Sequence, residues 1–274
     1  MSNRFLYLLI AASLLGSCSE YNQVEKSRDV NRKLAYADSL YNHKKYTQAN
    51  ALYEELIKVF QGTRNSPDIL FRYAYSYFYI QDYTSSAFYF KNFSDNYPND
   101  PRSVEADYMQ AYSYYEMSPR PELDQANTNK ALDAMQEFVN DHPESDKVAD
   151  ADRIIDACHK KLEQKLFLSA QLYYNLEQYK AAEIYFNSLL RNYPDSDQGD
   201  FYKFMVIKSE YLYADNSIQT KQPERFGQVV TDYLDFADHY PKSKYLKEAN
   251  KYFNQSQSTI KTIQNEQNKA GSGK

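Results

Sequence analysis

SPDILFRYAYSYFYIQDYTSSAFYFKNFSDNYP, residues 66–98, decides the fold class of the chain. Leu70, Tyr73, Ala74 and Tyr77 recur at spacings of three and four residues, so they share one face of a helix. After a break at Gln81-Asp82, Ser86, Phe90 and Phe93 form a second stripe. Tyr97-Pro98 ends it, because proline cannot continue a helix. Two amphipathic helices joined by a tight turn make a hairpin that cannot bury its apolar face alone. The large–small–large order around Ala74, with a small residue at Ser86, lets two helix backbones approach closely. Copies of the same unit are therefore expected on either side.

Alignment on the small residue of the second helix yields about five copies. Repeat 1 carries Ala37 and Leu40, then Tyr46, Ala49, Tyr53 and Leu56. Repeat 3 has Ala111 and Tyr114, then Ala131, Met135 and Phe138. Repeat 4 has Leu166, Ala170 and Tyr173, then Tyr179, Ala182, Phe186 and Leu189. Repeat 5 is the weakest, with Ser209 and Leu212, then Val229, Tyr233 and Phe236. This is the tetratricopeptide (TPR) pattern. It predicts an all-α fold, a right-handed α-solenoid of about five TPR helix pairs closed by a C-terminal capping helix near residues 245–264.

Pro98, Pro143, Pro194 and Pro241 close successive repeats, further apart than the roughly 34 residues of a plain TPR. Longer loops at residues 118–127 and 215–224 account for part of the excess. An unbroken run over residues 147–176 reads as one long helix. The predicted segments are repeats 1 to 3 over residues 31–144, then the linking helix, repeats 4 and 5 and the cap over 145–264. Residues 265–274 are expected to be a disordered tail.

The chain has 274 residues, ample for a sizeable core. Six glycines, 29 tyrosines and long periodic segments favour helices over sheets. A formal charge of −5 lacks the clustered basic face that nucleic acid requires. No apolar run reaches the roughly 18–20 residues of a membrane-spanning helix. His43, His142, His159 and His239 do not fall at metal-ligand spacings. Cys158 adjoins His159, but successive side chains on a helix point in different directions, so a packed thiol is expected there. No catalytic residue, metal or cofactor is predicted.

The N-terminus, MSNRFLYLLIAASLLGSC, pairs Arg4 with an apolar run and small residues, the outline of a signal peptide over residues 1–17. Leu15-Gly16-Ser17-Cys18 resembles a bacterial lipobox, which implies lipidation of Cys18. Several acyl chains anchor stably where one is marginal. Residues 18–30 then read as a lipidated cysteine and a polar tether.

What remains is surface. The groove positions of the first helices are Leu34, Asp38, Tyr41 and Asn42 in repeat 1, and Asp68, Phe71, Tyr75, Phe78 and Tyr79 in repeat 2. In repeat 3 they are Glu105, Tyr108, Tyr112, Tyr115 and Glu116. Other residues already supply the packing stripe, so these rings are expected to form an amphipathic platform for a peptide. The plainer alternative is that tightly wound helices bury them anyway.

The lipobox, the repeat number, ALDAMQEFVNDHPESD (131–146) and KLFLSAQLYYNLEQYKAAEIYFNSLLRNYPDSD (165–197) together resemble the BamD family. Its members are lipoproteins of the outer-membrane β-barrel assembly machine. The resemblance implies a non-catalytic scaffold, lipid-anchored on the periplasmic face of the outer membrane. Its last repeats would dock on a BamA-like barrel insertase, with Lys160 or Lys161 as the basic contact. Its first repeats would receive the C-terminal segments of unfolded outer-membrane proteins. The alternative is another cell-envelope TPR lipoprotein, Tol–Pal-type or a SusD-like glycan receptor, for which the chain is short.

Overall fold

The computed structural model describes residues 20–272, and every regular element among them is a helix. Two compact units are present, one ending at His159 and one beginning at Lys160. Cys18 and the expected signal peptide over residues 1–17 lie outside the described residues.

Three helix hairpins make up the N-terminal unit: α1 (Val30–Asn42) with α2 (Tyr46–Val59), α3 (Ser66–Tyr79) with α4 (Tyr83–Asn96), and α5 (Ser103–Glu116) with α6 (Ala126–Asp141). Each helix packs on the next in chain order. The periodic residues do converge: Ala37, Leu40, Ala49, Tyr53 and Leu56 form one core with Ile69 and Tyr73. Ala74, Phe90, Phe93, Ala111, Ala131, Met135 and Phe138 form another. The first turns of α7 (Val148–Asn175) contribute Ala151, Ile154 and the buried thiol Cys158 to that second core. Consecutive repeats are also joined by buried polar contacts. Asn50 donates to Ser76 at 2.9 Å, and the Ser86 and Ser113 hydroxyls meet at 2.9 Å with both residues fully buried.

Tight turns end α1 and α3 in the same way. Lys44 and Gln81 adopt left-handed conformations, with φ of 60° and 65°. The next residue's N–H then reaches back to the last helical turn: Lys45 to Leu40 at 2.8 Å and Asp82 to Tyr77 at 3.0 Å. This satisfies carbonyls that would otherwise be orphaned, a role usually given to glycine. Asp29 and Asp82 cap the starts of α1 and α4 by accepting backbone N–H bonds.

Ala74 is fully buried where α3 packs. Ala74→Leu is expected to cost about 1–3 kcal/mol by overpacking this contact. A lowered denaturant midpoint at unchanged slope would register it; an unaltered midpoint would show slack at the crossing.

The C-terminal unit holds the later turns of α7, then α8 (Tyr179–Asn192), α9 (Gly199–Asp215), α10 (Gln222–His239) and α11 (Leu246–Ser272). Helix α9 buries Tyr202, Phe204, Met205, Val206, Ile207 and Ala214, and with them Ser209 and Glu210, so it is covered on several sides. It accordingly contacts α8, α10 and α11. The turn after α7 repeats the left-handed device at Glu177, with φ 60° and Gln178 N–H bonded to the Tyr173 carbonyl at 2.9 Å. Gly199 lets the Tyr240 side chain approach closely: a Cβ there would lie 2.9 Å from the Tyr240 hydroxyl, so a larger residue would have to displace that ring.

Two stretches differ from the sequence expectation. The tether assigned to residues 18–30 is helical from residue 20 to 25, with Val24 buried and Tyr21 packed on the first core. Tyr21 and Val24 stand one helical turn apart, enough to dock a short segment. The tail assigned to residues 265–274 is helical as far as Ser272. Nothing there breaks a helix before Gly271.

Candidate peptide-binding face

Helices α1, α2, α3 and α5 bring a row of aromatic rings together within the N-terminal unit. Tyr46 stacks on Tyr79 at 4.2 Å, and Tyr41 lies 6.3 Å from Tyr79. Tyr79 continues to Tyr75 at 5.7 Å and to Phe78 at 5.9 Å. Phe78 meets Tyr112 at 5.8 Å, and Tyr112 approaches Tyr115 at 6.1 Å. The row thus passes without a gap from repeat 1 to repeat 3. These separations are those at which offset-stacked and edge-to-face pairs are favourable.

The predicted residues occupy different depths. Tyr79 is 46% exposed, whereas Leu34, Tyr41, Phe71, Tyr75, Phe78, Tyr112 and Tyr115 are half-buried, each with one side on a core. Tyr108 does not belong on the face. It is 6% exposed, packs edge-on against Phe138 at 5.5 Å, and donates its hydroxyl to Asp150 of α7. A carboxylate within reach of the hydroxyl lets the whole ring sink, so Tyr108 supports Tyr112 from behind, stacked at 5.8 Å. Tyr46 is the member that spacing alone missed. It sits at the first residue of α2, and the left-handed turn at Lys44 delivers it beside Tyr41.

Charged groups frame the rings. Tyr75 donates to Glu105, and Tyr53 donates to Asp38 at 2.7 Å. Asp38 also pairs with Arg72, whose guanidinium lies over Tyr41. Arg102 grips Asp100 through two nitrogens and Asp68 through a third, while lying 5.1 Å above Phe71. That forked grip, which lysine cannot copy, fixes the start of α5 against α3. Burial pushes the Tyr41, Tyr75 and Tyr79 hydroxyls above their ordinary range. Burial and a hydrogen bond to Glu116 raise Tyr112 to about 12. These four hydroxyls are therefore uncharged at neutral pH, able to offer ring faces and hydroxyls together.

Lys160 and Lys161 lie on α7, at the start of the C-terminal unit. Lys160 is exposed and Lys161 half-buried. Among the described residues no helix is long and apolar enough to cross a membrane, and no cluster of His, Cys, Asp or Glu is arranged to hold a metal ion.

Residues 28–196 match the YfiO family, described as outer membrane lipoproteins. The chain belongs to this family. The outer membrane protein assembly factor BamD of Rickettsia prowazekii (strain Madrid E) is 24% identical over 193 residues, 68% of this chain and 74% of that protein. Solved structures with a similar trace include the TPR2AB domain of yeast Sti1 in complex with pHSP90, at 8% identity and TM-score 0.38 over 83% of this chain and 98% of that one. The apo form of RapI gives 15% identity and TM-score 0.39 over 86% of this chain and 99% of that one. The YfiO match spans the whole aromatic row and both lysines, so the candidate face lies inside the family region.

Proposed function

We propose that this YfiO-family chain is a non-catalytic scaffold for outer-membrane protein assembly, and that its N-terminal unit receives the aromatic-ended C-terminal segments of unfolded β-barrel proteins. The observation that carries this reading is the unbroken ring row from Tyr46 through Tyr79 and Phe78 to Tyr115. An extended peptide presents alternate side chains to one face. A row of half-buried rings offers contact area to those side chains at small rotamer cost. The relative's role as an assembly factor supports the same reading. Lipid attached at Cys18 holds the scaffold to the periplasmic face of the membrane, and Lys160 and Lys161 contribute to docking on a BamA-like insertase.

The test is a binding titration between the soluble mature chain and a labelled peptide ending in phenylalanine. Tyr79→Ala should weaken binding by about fivefold or more, the effect of removing an anchor ring. Its melting temperature should hardly move, because nearly half of Tyr79 already faces solvent. Equal affinity for the same peptide ending in alanine would sink the reading. Recovery of a BamA-like insertase from solubilised outer membrane should also bring down this chain, and Lys160→Glu with Lys161→Glu should reduce that yield.

A further inference from the structure

The short helix at residues 20–25 ties the amino end of the described chain to the fold. Val24 is 1% exposed, and Tyr21 packs on the first core. Tyr21 lies within electrostatic reach of Tyr36 on α1 and Glu55 on α2, so this segment lies against both helices of the first hairpin. Only Ser19 separates Cys18 from Glu20. Two residues of backbone reach at most about 7 Å. The tether expected over residues 18–30 would have left the fold free to tumble below a membrane; a segment docked from residue 20 does not. Acyl chains on Cys18 bring that residue to the bilayer surface, and the first hairpin comes with it.

The outer side of α1 is the surface such a link brings down. Arg32, Ala35 and Ser39 are exposed and Tyr36 is half-buried. Spacings of three and four residues put them on one side of the helix, away from the buried Lys33, Ala37 and Leu40. Glu20 lies within electrostatic reach of Tyr36, which places the start of the docked segment at this same side. Arg28, also exposed, stands just before α1. The nearby charges are divided between fixed and available ones. Lys33 pairs with Glu55 at 2.5 Å, and Asp29 accepts the backbone N–H groups of Asn31 and Arg32. Arg28 and Arg32 carry no such commitment, and a guanidinium is suited to a phosphate. Tyrosine, with an apolar ring and a polar tip, is favoured where membrane meets water.

We propose that the outer side of α1, with Arg28, Arg32 and Tyr36, lies on the phospholipid headgroups of the leaflet that holds Cys18. This extends the lipidation of Cys18 proposed for the chain. The ring row of the candidate face then begins, at Tyr41 and Tyr46, in the hairpin nearest the bilayer.

The chain contains no tryptophan, so a single introduced one reports its own surroundings. Ala35→Trp and, as a comparison on α6 of repeat 3, Glu137→Trp both replace exposed residues. Each is to be purified as the lipidated full chain and placed in vesicles of phosphatidylethanolamine and phosphatidylglycerol, with some lipids carrying a nitroxide on the headgroup. Most of the emission at position 35 should be lost to the nitroxide, and little at position 137. Adding Arg28→Glu and Arg32→Glu should restore much of the emission at position 35 while the chain still floats with the vesicles. Equal quenching at the two positions, or none at position 35, overturns the proposal. Unchanged quenching in the arginine variant overturns the part given to the arginines. Shielding of position 35 from aqueous iodide without quenching by lipid assigns the face to a protein partner or a second copy instead. A mass measurement keeps the two readings apart. An unlipidated Cys18 in the mature chain refutes the anchoring, and the docked face with it. A lipidated, vesicle-bound chain with position 35 unquenched refutes the docked face alone.

Discussion

Phe90→Ala is expected to destabilise the N-terminal unit by about 3–5 kcal/mol, the range for deleting a fully buried ring. Phe90 is 0% exposed and stands edge-on to two members of the candidate face, Tyr75 at 4.9 Å and Phe71 at 6.0 Å. Its removal therefore opens a void directly beneath that face, and the surrounding rings cannot collapse into it without leaving their partners. The loss should appear as faster amide exchange throughout α3 and α4, with α9 and α10 unaffected because they belong to the other unit. Peptide binding should fall with stability in Phe90→Ala but fall alone in Tyr79→Ala. If Phe90→Ala cost under about 1 kcal/mol, the rings would have to be held by something other than this core.

Glu210→Gln should change how stability depends on pH. In the unfolded chain the Glu210 carboxyl titrates at its ordinary value of 4.5; in the folded chain burial first, then Asp232 and Glu183, keep it protonated to about 9. The folded state then binds the extra proton across that window, so stability is fullest below 4.5 and declines as pH rises towards 9. Each unit costs about 1.4 kcal/mol. The unaltered chain should thus lose roughly 4 kcal/mol between about pH 5 and about pH 8 relative to Glu210→Gln, which has no proton to give up. Asp232 runs the other way: burial pushes it up, but hydrogen bonds from Lys203 and Gln228 outweigh burial and lower it. Its contribution is lost only on acidification through that lowered value, well outside the Glu210 window. Urea midpoints of the two proteins at the two pH values supply the comparison, and parallel profiles would contradict the burial of an ionisable carboxyl.

The helix hairpins were legible because apolar spacing is a local property. Ala74, Phe90, Phe93 and Ala111 fall where the three- and four-residue rhythm puts them. The turns were less legible: Lys44, Gln81 and Glu177 take a conformation that usually announces itself as glycine. Of the candidate face, Tyr41, Tyr75, Phe78, Tyr79, Tyr112 and Tyr115 lie in or beside one ring row, but spacing could not set their depth. Tyr108 sinks because Asp150, 42 residues away, accepts its hydroxyl. Tyr46 joins because of a turn. The Glu210 cluster was invisible for the same reason: Lys203 and Glu210 look like solvated residues until α10 brings Asp232 and Asp235 against them.

The paired serines at Ser86 and Ser113, and Asn50 with Ser76, have a bearing on how the hairpins could be shuffled. Each hairpin completes a hydrogen-bonding valence that its neighbour leaves open, at a spot water does not reach. Cutting the series between α4 and α5, or grafting a hairpin from elsewhere, would expose a lone hydroxyl to an apolar seam. These hairpins are consequently not interchangeable beads; each is written for the one beside it, and an inserted copy would need its serine to come with it.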